Sequence, residues 1–189
     1  MGRHISDPIA DLLSRTGVTP NTLTLMGLLV SFGAAAAVAL DHLLIGGLVL
    51  LFSGVFDLLD GPLARKKGSS TKFGAFFDSS VDRLSEAALL FGLALLYHWQ
   101  GSSTPEVCLV YAALVGSLMV SYMRARAEGL GIKGDVGIFT RPERVIVLTA
   151  GLVVGEFYEV TVLVALGIIA AFAWVTVLQR FIHVRREAK

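Results

Sequence analysis

Long apolar runs broken by short polar stretches dominate the chain. Residues 22–40 (TLTLMGLLVSFGAAAAVAL) carry no charge at all. Residues 43–64 begin apolar and then carry Asp57 and Asp60, and residues 73–98 become apolar after Asp78 and Asp82. Residues 107–127 end in Arg124 and Arg126, residues 142–158 open with Pro142, Glu143 and Arg144, and residues 160–182 close the set. A bilayer span takes roughly 20 apolar residues, within about 17–25, so the pattern predicts six transmembrane helices. Asp41-His42, Gly68–Thr71, Gly101–Pro105 and the glycine-rich stretch Gly129–Gly137 divide them. Before the first run, Ile5, Ile9, Leu12 and Leu13 share one helical face. This predicts a short N-terminal amphipathic helix on the membrane surface, although a cytosolic cap helix fits the same spacing. The expected architecture is therefore all-α and polytopic, one membrane domain over 1–189. Within it, 1–16 is the juxtamembrane amphipathic segment and 17–189 the six-helix bundle.

Composition agrees. Of the 189 residues, 54% are hydrophobic and 16% charged, against about 25% charged in a typical soluble domain. The single cysteine, Cys108, excludes a disulfide framework and a cysteine-based zinc site. A net charge of +1 gives no reason to expect a nucleic-acid partner.

The distribution of that charge says more than its sum. All 16 Lys and Arg fall at Arg3 and Arg15, within 65–83, within 124–144, or from Arg180 onward. The opposite connections, around Asp41, Ser102–Glu106 and Gly155–Glu159, hold none. Basic residues gather on the cytoplasmic side. Both termini, and whatever chemistry the basic end carries, are expected on the cytoplasmic face of the cell membrane, and six spans satisfy the required parity.

Four carboxylates lie where an apolar helix should not have them. Asp57 and Asp60 are three apart, and Asp78 and Asp82 four apart, so each pair occupies one helix face. A short basic loop joins their two helices, which are therefore expected to be antiparallel neighbours with all four carboxylates near the cytoplasmic end. Carboxylates at such depth need pairing or ligation. A structural charge cluster with Arg65, Lys66, Lys67, Lys72 and Arg83 would supply pairing. Two hard divalent cations, Mg²⁺ or Mn²⁺, would supply ligation and suit phosphoryl chemistry. Gly61, Ala64 and Gly74 keep the neighbouring surface small enough for a ligand to approach backbone, and Arg65 offers a bidentate phosphate partner.

The run Asp57-Leu-Leu-Asp60-Gly61-Pro-Leu-Ala64-Arg65, then eight residues, Gly74, three residues, Asp78, three residues and Asp82 resembles the signature of the CDP-alcohol phosphotransferase family. All eight fixed positions are present. Gly17-Val-Thr-Pro20-Asn21-Thr-Leu-Thr is similar to what the family places before its first span. The resemblance implies that Asp57, Asp60, Asp78 and Asp82 hold two metals, and that Asn21, Asp57, Gly61, Ala64, Arg65 and Gly74 receive a CDP-linked lipid. It implies that Asp82 is the catalytic base as well. It also implies a homodimer.

Further on, Ser121, Arg124, Arg126-Ala-Glu128 and Arg141-Pro-Glu143-Arg144 resemble the inositol-phosphate enzymes of that family, from actinobacteria and archaea. That resemblance makes inositol phosphate the acceptor, its phosphate held by Ser121, Arg124, Arg126 and Arg144, with Arg180 or Arg185 as a lesser contributor. The donor is then CDP-diacylglycerol or a CDP-diether lipid, and membrane lipids surround the bundle. A phosphatidylglycerophosphate synthase, or another CDP-alcohol phosphotransferase with a different acceptor, is the alternative, but the Arg-Glu-Ile segment and Gly-Lys-rich stretch usual in the former are missing. An ion transporter is the remote one; it would place polar residues at midspan and on the outer side, where this chain has few.

Overall fold

The computed structural model describes residues 17–69, 71–102 and 104–188. Six helices follow one another: α1 (Pro20–Ala39), α2 (Leu43–Lys66), α3 (Lys72–Trp99), α4 (Thr104–Gly129), α5 (Arg141–Gly155) and α6 (Val160–Glu187). The expected amphipathic helix over Ile5–Leu13 lies outside the described residues.

Local chemistry fixes three of the six helix starts. Pro20 occupies the first turn of α1, where a missing N–H costs nothing, and the Thr19 hydroxyl accepts from the Thr22 amide at 3.2 Å. Thr71 caps α3 in the same way, accepting from the Gly74 amide at 2.9 Å. At α5 the Glu143 carboxylate reaches back to accept from the Thr140 amide at 2.7 Å and its hydroxyl at 2.6 Å. That satisfies donors a helix start leaves orphaned. The α1–α2 turn is tight because Asp41 takes a left-handed conformation, φ 65°.

Helices α1, α2, α4 and α6 are long and apolar enough to cross a membrane. The other two fall short by those measures for identifiable reasons. α3 carries Asp78, Asp82, Arg83 and Glu86, and α5 has 15 residues, about 22 Å at 1.5 Å per residue.

α1 packs against both α2 and α3, α2 against α5, α5 against α6, α6 against α4, and α4 against α3. The expectation that α2 and α3 are close neighbours is not met. Their short loop does bring the two helix ends together, but α1 packs on both, and α2–α3 is not among the closely packed pairs. The bundle is left with a cleft between the two aspartate-bearing helices. Elsewhere small residues close the packing. A Cβ on Gly92 of α3 would stand 2.5 Å from the Ala35 carbonyl oxygen of α1, and one on Gly151 of α5 would stand 2.4 Å from Ala165 Cβ of α6. Leu89, Leu93, Leu152 and Leu166 fill the main core. A smaller cluster of Leu23, Leu59 and Leu63 pins the start of α1 to the end of α2.

Candidate active site

The four aspartates occupy one end of the bundle, Asp57 and Asp60 late in α2, Asp78 and Asp82 early in α3. Asp57 and Asp78 both act electrostatically on Asp60 and on Asp82, so the carboxylates converge across the cleft. Each has different company. Asp60 is 7% exposed and accepts from the Thr24 hydroxyl of α1 at 3.0 Å. Asp57 lies where α1 comes close, since a Cβ on Gly27 would be 3.5 Å from its Oδ1.

Asp57 and Asp82 are bridged by Arg141 of α5. Its Nη1 lies 2.8 Å from Asp57 Oδ2, to which it donates, and 2.9 Å from Asp82 Oδ1. The second approach lacks hydrogen-bond geometry, which leaves that buried oxygen of Asp82 with no donor. The charge pairing of these two aspartates thus reaches a cation of another helix, α5. Lys67 donates to the Val18 carbonyl at 2.7 Å; Arg83 donates to the carbonyl of Ser79 and also acts electrostatically on Asp82. Among the described residues, no group of three or more His, Cys, Asp or Glu stands in metal-binding geometry. The donors nevertheless suit a hard divalent ion: all are carboxylate oxygens on two facing helices, one of them buried without a hydrogen-bond donor.

Two cavities flank the carboxylates, and Ala75 borders both. The first, about 230 Å³, is lined by Asn21 and Thr24 of α1, Asp60, Gly61, Ala64 and Arg65 of α2, and Gly74 and Asp78 of α3. Five of the six residues assigned to a CDP-lipid come together there. The sixth, Asp57, faces instead a void of about 30 Å³ with Glu86, Arg141 and Arg144. Gly74 keeps the first cavity open, because a Cβ there would be 3.2 Å from Thr71 Oγ1 and 3.6 Å from Asn21 Oδ1.

The second cavity, about 570 Å³, is bordered by Asp82, Arg83 and Glu86 of α3, Ser121, Arg124 and Glu128 of α4, Arg141 and Arg144 of α5, and Arg180 of α6. Ser121, Arg124 and Arg144 meet there as expected. Arg126 does not; it is exposed and borders neither cavity. Two residues along a helix is a rotation of about 200°, which turns Arg126 away from the face that Arg124 presents. Arg124 itself pairs with Glu128 at 2.8 Å. Arg180 is 3% exposed and anchored to backbone, its Nε donating to the Val136 carbonyl at 2.8 Å and its Nη1 to that of Val120. Arg185 is exposed.

Sequence reasoning left three contributors unassigned. Thr24 follows three residues after Asn21 on the same helix. Glu86 continues the four-residue step from Asp78 through Asp82, a periodicity that would have found it. Arg141 begins the Arg-Pro-Glu-Arg run, one turn before Arg144.

Similarity to known proteins agrees with this layout. A phosphatidylinositol phosphate synthase from Mycobacteroides abscessus is 36% identical over 184 residues, covering 96% of this chain and 84% of the relative. An archaetidylinositol phosphate synthase from Methanothermobacter thermautotrophicus is 39% identical over 188 residues, covering 99% and 92%. The crystal structure of the Mycobacterium tuberculosis phosphatidylinositol phosphate synthase with CDP-DAG bound superposes with a TM-score of 0.89 at 35% identity, covering 95% of this chain and 93% of that one. The same enzyme in complex with manganese and citrate gives the same TM-score and identity, covering 95% and 88%. Residues 17–179, which contain all four aspartates and every residue named above for the two cavities except Arg180, match the family model for CDP-alcohol phosphatidyltransferases, and the chain belongs to that family.

Proposed function

We propose that the chain transfers a phosphatidyl group, or its diether-lipid counterpart, from a CDP-linked lipid to a hydroxyl of inositol phosphate, releasing CMP. One observation carries this reading: the carboxylates stand between a cavity of small residues with one arginine and a cavity rich in arginine. The first suits a nucleotide lying against helix backbone. The second suits a substrate that already bears a phosphate, since guanidiniums bind phosphate oxygens in pairs. The M. abscessus relative is a phosphatidylinositol phosphate synthase by name and the M. thermautotrophicus relative an archaetidylinositol phosphate synthase.

Asp57, Asp60, Asp78 and Asp82 would hold two ions, Mg²⁺ or Mn²⁺, as the manganese bound by the M. tuberculosis enzyme suggests. Bound there, they would neutralise the charge on the diphosphate. Gly61, Ala64 and Gly74 leave room for the cytidine, Asn21 borders it, and Arg65 adds charge beside the phosphates. Ser121, Arg124, Arg144 and Arg180 orient the acceptor phosphate, while Arg126 is withdrawn from that set. The acceptor hydroxyl attacks the lipid-bearing phosphorus, and the bond to the CMP oxygen breaks with its electron pair. Asp82 takes the hydroxyl proton, a role supported by its place on the arginine-rich cavity.

Around this chemistry we place six membrane-spanning helices in one domain, the N-terminal amphipathic segment on the membrane surface, the site and both termini in the cytoplasm, and a homodimer as the working unit. The deciding assay follows CMP release from CDP-diacylglycerol with Mg²⁺ or Mn²⁺ in turn, offering inositol phosphate, glycerol phosphate, serine or inositol. Inositol phosphate is expected to turn over fastest. Faster turnover with glycerol phosphate or free inositol would overturn the acceptor.

A further inference from the structure

Glu86 lies one helical turn beyond Asp82 on the same face of α3, in the stretch where the helix becomes apolar. Its side chain is 10% exposed and that of Arg144 is 2% exposed. Oε1 accepts from Arg144 Nε at 2.6 Å and Oε2 accepts from Arg144 Nη2 at 2.9 Å. This two-pronged contact fixes the plane of the guanidinium as well as its position. One nitrogen of Arg144 remains, Nη1, shut off from solvent and without a hydrogen-bond partner. Both residues border the arginine-rich cavity.

Stability does not account for such a pair. Desolvating two charges costs as much as their attraction returns, and apolar residues of equal volume often do as well. A guanidinium with an unspent donor on a cavity is different: left free, it would turn among rotamers and away from Arg141 and Arg180, cations of the same cavity. Glu86 offsets that repulsion, acting electrostatically on Arg141 as well, and removes the rotational freedom.

We propose that Glu86 is a positioning residue, whose carboxylate holds Arg144 at the wall of the arginine-rich cavity in the orientation that meets the phosphate of the acceptor. The inference rests on the acceptor reading given above. It assigns Glu86 no contact with substrate and no part in the proton transfer.

The test compares Glu86→Gln, Glu86→Asp, Arg144→Gln and the double variant Glu86→Gln/Arg144→Gln in the full-length membrane enzyme. KM is measured for inositol phosphate and, separately, for CDP-diacylglycerol. Glu86→Gln keeps the shape but loses the charge, and should raise the KM for inositol phosphate about tenfold, the worth of one charge-assisted hydrogen bond. The KM for CDP-diacylglycerol should stay within about twofold. Glu86→Asp, which keeps the charge on a shorter arm, should fall between wild type and Glu86→Gln. It also carries the test should Glu86→Gln fail to fold, an unchanged inositol phosphate KM then counting against the proposal. The double variant should be no worse than Arg144→Gln alone, because Glu86 acts through Arg144. An equal rise in both KM values, or additive losses in the double variant, would overturn the positioning role. If Arg144→Gln leaves the inositol phosphate KM unchanged, the acceptor reading fails, and the role built on it falls with it.

Discussion

At the level of single residues, environment separates four chemically identical carboxylates. Asp60 is buried against the Thr24 hydroxyl and Asp78 faces the smaller cavity, whereas Asp82 faces the cavity assigned to the acceptor. On the proposed mechanism that placement gives Asp82 the proton transfer. Asp82→Asn is expected to lower turnover by about 10²–10⁴-fold, the usual worth of a general base, with affinity for CDP-lipid within a few-fold of wild type. Equilibrium binding of CDP-diacylglycerol beside single-turnover CMP release checks it, and parallel loss of both would make Asp82 a ligand first. The aspartates and small residues were legible because their spacing is unusual in an apolar helix. Arg141 was not, because a cation 59 residues after Asp82 meets it only once the bundle has formed. Arg126 shows the converse. It sits beside Arg124 in sequence, and the 200° of helix between them separates what adjacency had joined.

At the level of helices, apolar runs located all six elements to within a few residues, since a run ends where charge or a capping threonine begins. Packing order was less legible. A short connection argues for neighbouring helices, and α2 and α3 have one, yet α1 packs on both and leaves the cleft that the site occupies. Small residues are what let α1 sit so close. Gly92→Ala would drive a methyl to 2.5 Å from the Ala35 carbonyl oxygen, and overpacking of this kind costs about 1–3 kcal/mol. Gly33→Ala on the exposed side of α1 meets nothing within 4 Å and should be neutral, or gain up to about 1 kcal/mol in helix propensity. Thermal unfolding in detergent should therefore show a clear fall in Tm for the first and none for the second. Equal Tm values would mean that the α1–α3 contact yields without cost.

At the level of the whole molecule, the decisive asymmetry is between the two ends of the bundle. The site end gathers the starts of α1, α3 and α5 and the ends of α2, α4 and α6, and there lie Arg65, Lys66, Arg124, Arg141 and Arg144. The far end has the turns at 40–42, 100–102 and 156–159, which carry no Lys or Arg but expose Trp99, Phe157 and Tyr158. Aromatic side chains settle at the membrane interface and basic ones stay on the cytoplasmic side, so the arginine-rich cavity should open to the compartment that holds phosphorylated alcohols. α5 is the weak point of this arrangement. At about 22 Å it is shorter than a hydrocarbon core of about 30 Å, and it crosses only if its neighbours and the flanking aromatics make up the difference. A reporter fused after Lys189 is expected to read cytoplasm, one inserted at Ser102 the exterior, and one inserted at Phe157 the exterior as well. A cytoplasmic signal from Ser102 would break the six-span topology at its centre. A cytoplasmic signal from Phe157 alone would mean that α5 dips into the membrane and returns, and would place the start of α6 on the same side as the site.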